Sequence, residues 1–417
     1  MERVQNFVYN TGMGLNETPS ANRLHIAFFG RRNAGKSSLV NAVTGQNLSL
    51  VSDVKGTTTD PVFKAMELLP LGPVVIIDTP GFDDEGELGE MRVNRAKQIL
   101  NKTDAAVLVL DGSLPDSTLP AEEELVELFK EKDIPFIIVI NKSDKGSDIA
   151  PVTPWLEKEI IPVSAKTGFN INLLKEKIAV LAADEEPKRR LIADFIKPED
   201  LIILVIPIDK AAPKGRLILP QQQMIRGILE AGACALCVRE SELKQTLANI
   251  ERKPSLVITD SQVFALAAEI VPENIPLTSF SILFARFKGF LETAVAGAAA
   301  LDEIKDGDKI LICEGCTHHR QCDDIGTIKI PNLVKKHSSK KIEFVFCSGG
   351  DFPFDLSPYK LIIHCGSCML NEREVQHRRK TALEQKIPFT NYGIAIAHLT
   401  GILKRSIEYI IREENEQ

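Results

Sequence analysis

The sequence shows no excess of positive charge: 50 Lys and Arg face 57 Asp and Glu, a formal net charge of −7. A general nucleic-acid binder carries a basic footprint, so that class is disfavoured. No apolar run reaches the roughly 18 to 20 residues that a membrane-spanning helix needs, and no membrane partner is expected. The first residues, MERVQNFVYNTGMGLNETPSANR, have no hydrophobic core and do not read as a secretory signal. Internal repeats and low-complexity tracts are absent as well. With 44% hydrophobic and 26% charged residues, the chain has an ordinary globular composition, and a cytoplasmic location is expected. Its 417 residues allow two to four domains. Cysteine is scarce, but of eight, two stand at 234 and 237 and six fall between 313 and 368. Such clustering points to metal or redox chemistry before structural disulfides.

The order of patterns predicts an α/β fold of three consecutive α/β domains, the first with a mostly parallel sheet. Residues 1–22 read as a flexible leader. Apolar strands at 24–29, 74–79, 105–111 and 136–141 alternate with helices at 89–102, 121–132 and 171–183, giving a first domain over 23–183. After the charged linker DEEPKRR come strands at 201–208, 233–238 and 255–259, in a small second domain over 191–275. The third, 276–417, is expected to hold strands at 309–313, 342–347 and 360–365, with helices at 289–304, 371–385 and 392–412.

Gly30-Arg-Arg-Asn33-Ala34-Gly35-Lys36-Ser37-Ser38 follows a strand and opens a helix, as a phosphate-binding loop requires. Its glycines let backbone N–H groups curl around phosphates; Lys36 would reach the β- and γ-phosphates, and Ser37 would hold Mg²⁺. Three more elements arrive in order. Asp78-Thr-Pro-Gly81 places Asp78 near Mg²⁺ and the Gly81 amide near the γ-phosphate. Asn141-Lys142-Ser143-Asp144 offers a carboxylate to the guanine N1 and N2 donors. Ser164-Ala165-Lys166 brings the Ala165 amide to guanine O6. GTP or GDP with Mg²⁺ is the expected ligand, and Lys36 and Gly81 are expected to act in hydrolysis.

These residues resemble the TrmE-Era-EngA group of P-loop GTPases over about 160 residues. By that resemblance Gly56-Thr57-Thr58-Thr59-Asp60 is the first switch segment and Thr58 a second Mg²⁺ ligand, also placed among the catalytic residues. It further implies that Asn33 helps to coordinate K⁺, an ion that offsets developing charge where other GTPases use an arginine. Phe82 follows the DTPG motif, so no glutamine stands there to orient water; slow hydrolysis, faster in K⁺ than in Na⁺, is expected. Asp83, Asp84, Glu85 or Glu87 offer alternative carboxylates.

In the third block, Cys316-Thr-His318 and His364-Cys365-Gly-Ser-Cys368 each follow a strand, where loops at one sheet edge converge. Three thiolates suit either a Cys₃His zinc site or a [4Fe–4S] cluster, and spacing alone leaves both open. With CTHHRQCDDIGTIKIPN at 316–332, SGGDFP at 348–353, IIHCGSCMLNERE at 362–374 and PFTNYGIAIAHLTGIL at 388–403, the chain resembles the HydF family, the maturation GTPases of [FeFe]-hydrogenases. That resemblance implies a [4Fe–4S] cluster on Cys316, Cys365 and Cys368, with His318, His364 or Asp323 as candidates for an exchangeable fourth position. Cys322, beside Asp323, departs from the family pattern. Cys313 and Cys347 read as small core hydrophobes, as do Cys234 and Cys237 in the strand ACALCV, and His319 reads as a loop residue.

The resemblance also implies a homodimer through the second block and a role as scaffold. The chain would accept a transient [2Fe] precursor from radical-SAM maturases and deliver it to apo-[FeFe]-hydrogenase, with GTP turnover regulatory. The alternative is an Era-like RNA- or ribosome-associated GTPase with a structural zinc, against which the acidic balance and the absence of a KH-type G-x-x-G module weigh.

Overall fold

The computed structural model describes residues 18–45, 61–69, 71–82, 95–113, 120–145, 160–183, 190–208, 217–315 and 324–416. The chain divides into two compact units, Met1–Ala183 and Asp184–Gln417.

The first unit is built on one six-stranded sheet. Its strands are β1 (Leu24–Phe29), β2 (Val62–Leu68), β3 (Gly72–Asp78), β4 (Ala105–Asp111), β5 (Phe136–Asn141) and β6 (Ile160–Pro162), in the order β2-β3-β1-β4-β5-β6. All neighbours are parallel except β2 and β3. Successive side chains of a strand face opposite ways, and β1 shows the result: Ile26 and Phe28 enter one core, Ala27 and Phe29 the other. Helices Lys36–Thr44 and Ile171–Ala183 cover the first face, where Leu39, Val43, Leu174 and Ile178 are fully buried. Helix Pro120–Glu131 covers the second through Leu125 and Phe129, whose ring meets Phe29 at 5.4 Å. Continuous burial is why VVIID and AAVLVLD read as unbroken apolar runs.

The second unit contains two four-stranded parallel sheets. The first comprises β7 (Leu201–Val205), β8 (Cys234–Val238), β9 (Leu256–Thr259) and β10 (Leu277–Ser279), ordered β10-β9-β7-β8. The second comprises β11 (Lys309–Glu314), β12 (Glu343–Ser348), β13 (Leu361–His364) and β14 (Phe389–Asn391), ordered β12-β11-β13-β14. A single hydrophobic core joins the two sheets, running from Ile192 and Ile202 through Phe280 and Leu311 to Phe389 and Ile410. Buried Arg286 fastens the ends of this unit together. Its guanidinium pairs with Asp194 at 2.8 Å and Glu414 at 2.8 Å, donates to Arg190 O at 3.0 Å, and lies over the Phe195 ring.

Three expectations are corrected here. Strand β10 completes the second sheet, so that sheet runs past the boundary expected at 275. The helix expected over 392–412 is two, Tyr392–Leu399 and Leu403–Glu416. Gly401 (φ +76) takes a left-handed turn between them that a β-carbon would strain. Cys234 and Cys237 are exposed, because β8 is an edge strand. Among the described residues, no helix is long and apolar enough to cross a membrane.

Candidate functional site

In the first unit, the turn after β1 carries Asn33 (φ +61) and Gly35 (φ +88) in left-handed conformations before the helix opens at Lys36. Gly35 admits no side chain: a β-carbon would lie 2.2 Å from Asn141 Nδ2. That amide donates to Ala34 O at 3.0 Å, while Asn141 Oδ1 accepts from the Ala165 N–H at 3.1 Å. One side chain at the end of β5 thus ties the phosphate loop to the Ser164–Lys166 turn. Lys36 is buried, its Nζ donating to Gly30 O at 3.0 Å and Arg31 O at 2.8 Å. Ser37 and Ser38 are half-buried in the first helical turn, and Asp78 is fully buried at the end of β3. The next turn leads to Gly81 and then to Phe82, which is buried in the core.

Lys142 Nζ donates to Asn33 O at 2.8 Å and to Asp111 Oδ2 at 2.6 Å. Partial burial alone would raise the Asp111 carboxyl; the bonds from Lys142 and Ser113 outweigh it and bring it below the usual range. Ser164 Oγ donates to Asp144 Oδ1 at 2.7 Å and, as the leading cause, holds that exposed carboxyl below its ordinary value. Asp144 is therefore an anionic acceptor, as recognition of two guanine donors requires. The structure brings together the phosphate-loop residues, Asn141, Lys142, Asp144, Ser164 and Ala165, with Lys166 exposed beside them. Two residues escaped sequence reasoning. Asp111 anchors Lys142, and Glu122 (2% exposed) holds Arg31 of the loop at 2.8 Å. Asp111 ends an apolar strand, a signal that sequence offers; Glu122 sits in an acidic helical run that hides it. Thr58, Asp83, Asp84, Glu85 and Glu87 lie outside the described residues.

In the second unit, β11 and β13 are neighbours with Cys313 opposite His364. The Cys365 N–H donates to Cys313 O at 2.8 Å. Cys365 Sγ accepts from the Gly315 N–H at 3.1 Å and the Ser367 N–H at 3.4 Å. Ser367 takes φ +60, turning the chain toward Cys368. Burial pushes the Cys365 thiol up and the Cys368 thiol up to about 12, so a metal bound here displaces protons. His364 is fully buried. Its Nδ1 lies 3.0 Å from Cys365 O and 3.1 Å from Ser367 Oγ, and its Nε2 lies 3.0 Å from Arg378 Nη1. A guanidinium only donates, so Nε2 accepts and the proton sits on Nδ1. Burial first, and Arg378 second, push His364 down to about 3. Arg378 is itself buried and held by Glu374 at 2.8 Å and Gly349 O at 2.5 Å. No motif singled it out.

Cys316, His318, His319, Cys322 and Asp323 lie outside the described residues. Among the described residues, no group of three His, Cys, Asp or Glu side chains is placed to hold a metal ion. Two of the expected thiols are described, and the surroundings of Cys365 fit a metal-bound thiolate, an iron–sulfur cluster's included. Cys365 Sγ already accepts two backbone N–H bonds, as a cluster thiolate does, and one of those amides belongs to Gly315, a single residue before Cys316.

Three family models match the chain. Residues 25–142 match a 50S ribosome-binding GTPase, 191–289 the hydrogen maturase F dimerization domain, and 292–409 the hydrogen maturase F tetramerization domain. GTPase Der of Wolinella succinogenes is 36% identical over 176 residues, 39% of this chain and 36% of that protein. GTPase Era of Aquifex aeolicus is 30% identical over 191 residues, 43% and 60% of the two chains. The chain thus spans about a third of Der and under two thirds of that Era. Among solved structures, Era of Aquifex aeolicus with GDP and aluminium fluoride aligns at 23% identity with a TM-score of 0.35, covering 52% of this chain and 92% of that one. The first unit is a P-loop GTPase domain, the second carries two successive domains found in one maturase family, and the chain belongs to that family, the hydrogen maturase F (HydF) GTPases.

Proposed function

We propose that the chain is a GTP-binding scaffold and carrier. It would hold a [4Fe–4S] cluster on Cys316, Cys365 and Cys368, receive a [2Fe] precursor as cargo from radical-SAM maturases, and deliver it to apo-[FeFe]-hydrogenase. The observation that carries this reading is the Cys365 sulfur, held by two backbone amides at the junction of the β11 and β13 loops. Soft thiolates on a rigid turn suit iron–sulfur ligation. A cluster held by three thiolates would supply one iron with an exchangeable position. His364 supports this site from behind: both ring nitrogens are engaged, and its Nδ1 proton holds the Cys365 carbonyl in place. Among the candidates for the exchangeable position, Asp323 and His318 fit better than His364 on that ground.

In the GTPase unit, Lys36 would exchange its bonds to the Gly30 and Arg31 carbonyls for phosphate oxygens, while Ser37, Thr58 and Asp78 hold Mg²⁺ and Asn33 contributes to K⁺. The amides of residues 33–38 and Gly81 would face the phosphates. Asp144 and the Ala165 amide would select guanine. Hydrolysis would be slow and regulatory, in a division of labour with a GTP-binding domain over 23–183, a small dimerisation domain from 191, and a cluster domain reaching to 417. A homodimer fits the match to a dimerization domain, and the tetramerization match allows a larger assembly.

Anaerobic reconstitution with iron and sulfide, followed by visible absorption and EPR, tests the reading. Brown protein with an EPR-active reduced cluster is expected, and Cys365→Ala should abolish both signals. Colourless protein retaining tightly bound zinc would overturn it in favour of a structural metal site.

A further inference from the structure

Cys313 and Cys347 lie opposite each other on the parallel neighbours β11 and β12. Residues in register on adjacent strands project to the same face, and these two sulfurs are 3.0 Å apart. Neighbouring strands run about 4.8 Å apart, within the roughly 4.4 to 6.8 Å between α-carbons that a disulfide bridges. The pair therefore needs rotation of side chains, not movement of strands, to join. The two thiols are not equivalent. Cys313 is fully buried, whereas Cys347, on the edge strand β12, is half-buried. Neither is required by the iron site, and both stand 34 residues apart in sequence, where spacing gives no hint of a pair.

We propose that Cys313 and Cys347 form a reversible dithiol–disulfide couple that reacts with low-molecular-weight disulfides and fastens the end of β11 to β12. The Cys347 thiolate attacks one sulfur of the small disulfide; that S–S bond breaks, and one small thiolate leaves and takes up a proton. The Cys313 thiol then gives up its proton and attacks Cys347 Sγ, expelling the second small thiolate. Two protein thiols and one small disulfide become one protein disulfide and two small thiols, with two electrons passing to the small molecule. The order follows from burial, since Cys347 is the less buried of the two. Closure would fix the strand that leads to Gly315, whose amide rests on Cys365 Sγ. The couple itself does not depend on what metal, if any, Cys365 holds.

The test uses the full-length chain in anaerobic glutathione buffers of increasing oxidised fraction. Acid quenching, alkylation, digestion and mass spectrometry then assign each thiol. A Cys313–Cys347 cross-link should grow with the oxidised fraction and vanish on adding dithiothreitol. In Cys313→Ser, Cys347 should instead retain glutathione as a mixed disulfide; in Cys347→Ser, Cys313 should stay free. The proposal is overturned if Cys313 and Cys347 remain alkylatable once exposed Cys234 and Cys237 have reacted. It is equally overturned if Cys313 joins Cys365 or Cys368 in preference to Cys347.

Discussion

Arg378 Nη1 lies 3.0 Å from His364 Nε2, and both side chains are almost wholly buried. The guanidinium serves three directions at once: the imidazole, the Glu374 carboxylate and the Gly349 carbonyl. Replacing Arg378 by Gln strands the largely buried Glu374. A loss of about 3–5 kcal/mol is expected when one partner of such a pair is removed. Lys should not restore it, since one ammonium cannot span the fork. Urea denaturation of the full-length chain reads this directly, and a loss below about 1 kcal/mol would show the guanidinium to be dispensable.

Gly35→Ala meets both a left-handed backbone and the Asn141 amide. Backbone strain of about 1–3 kcal/mol should weaken binding of a fluorescent GDP analogue by roughly tenfold or more. Unchanged affinity would show that the loop opens more readily than its contacts imply.

Asp144→Asn replaces an acceptor of two donors by an amide that accepts one and donates one. One of the two charged hydrogen bonds to the base is lost, so GTP affinity should fall on the order of a hundredfold. Xanthosine triphosphate, which presents a carbonyl where guanine has an amine, should gain. Competition binding with the two nucleotides measures the switch; parallel losses for both would remove Asp144 from base recognition.

Lys36→Ala should lose nucleotide and keep iron, while Cys365→Ala should lose iron and still hydrolyse GTP. The two residues belong to separate compact units. Iron content and phosphate release on each variant suffice, and the loss of both properties in one folded variant would contradict the separation.

Turnover should be faster in K⁺ than in Na⁺ if the exposed Asn33 amide completes a monovalent-cation site. Asn33→Ala should erase the difference. Equal rates in the two salts would exclude K⁺ from the mechanism.

Buried strands were the legible part of the fold. VVIID and AAVLVLD are covered on both faces and leave an unbroken apolar trace. Strand β2 was not legible: its positions are half-buried or exposed except Leu68, it carries Lys64 and Glu67, and it runs antiparallel at the edge. Helix Ile330–Ser338 was hidden by Pro331, which stands in its first turn and reads as a breaker. At the nucleotide site the motif residues were readable because their chemistry is local to short turns. Arg378 was not, since HRRK offers two adjacent arginines and only the fold decides which one turns inward. Cys313 and Cys347 were visible as residues and invisible as neighbours, because strand register is a property of the sheet.

The C-terminal helix Leu403–Glu416 supplies Tyr409 and Ile410 to a core that begins at Ile192, and the Tyr409 hydroxyl donates to Phe195 O at 2.8 Å. The second unit therefore cannot close its core until this helix has been synthesised and has left the exit tunnel. The nucleotide-binding unit, complete by Ala183, has no such delay. Closure of the core around the cysteine site waits for that helix, and a nascent chain arrested near residue 400 should bind GDP while its second unit remains sensitive to protease.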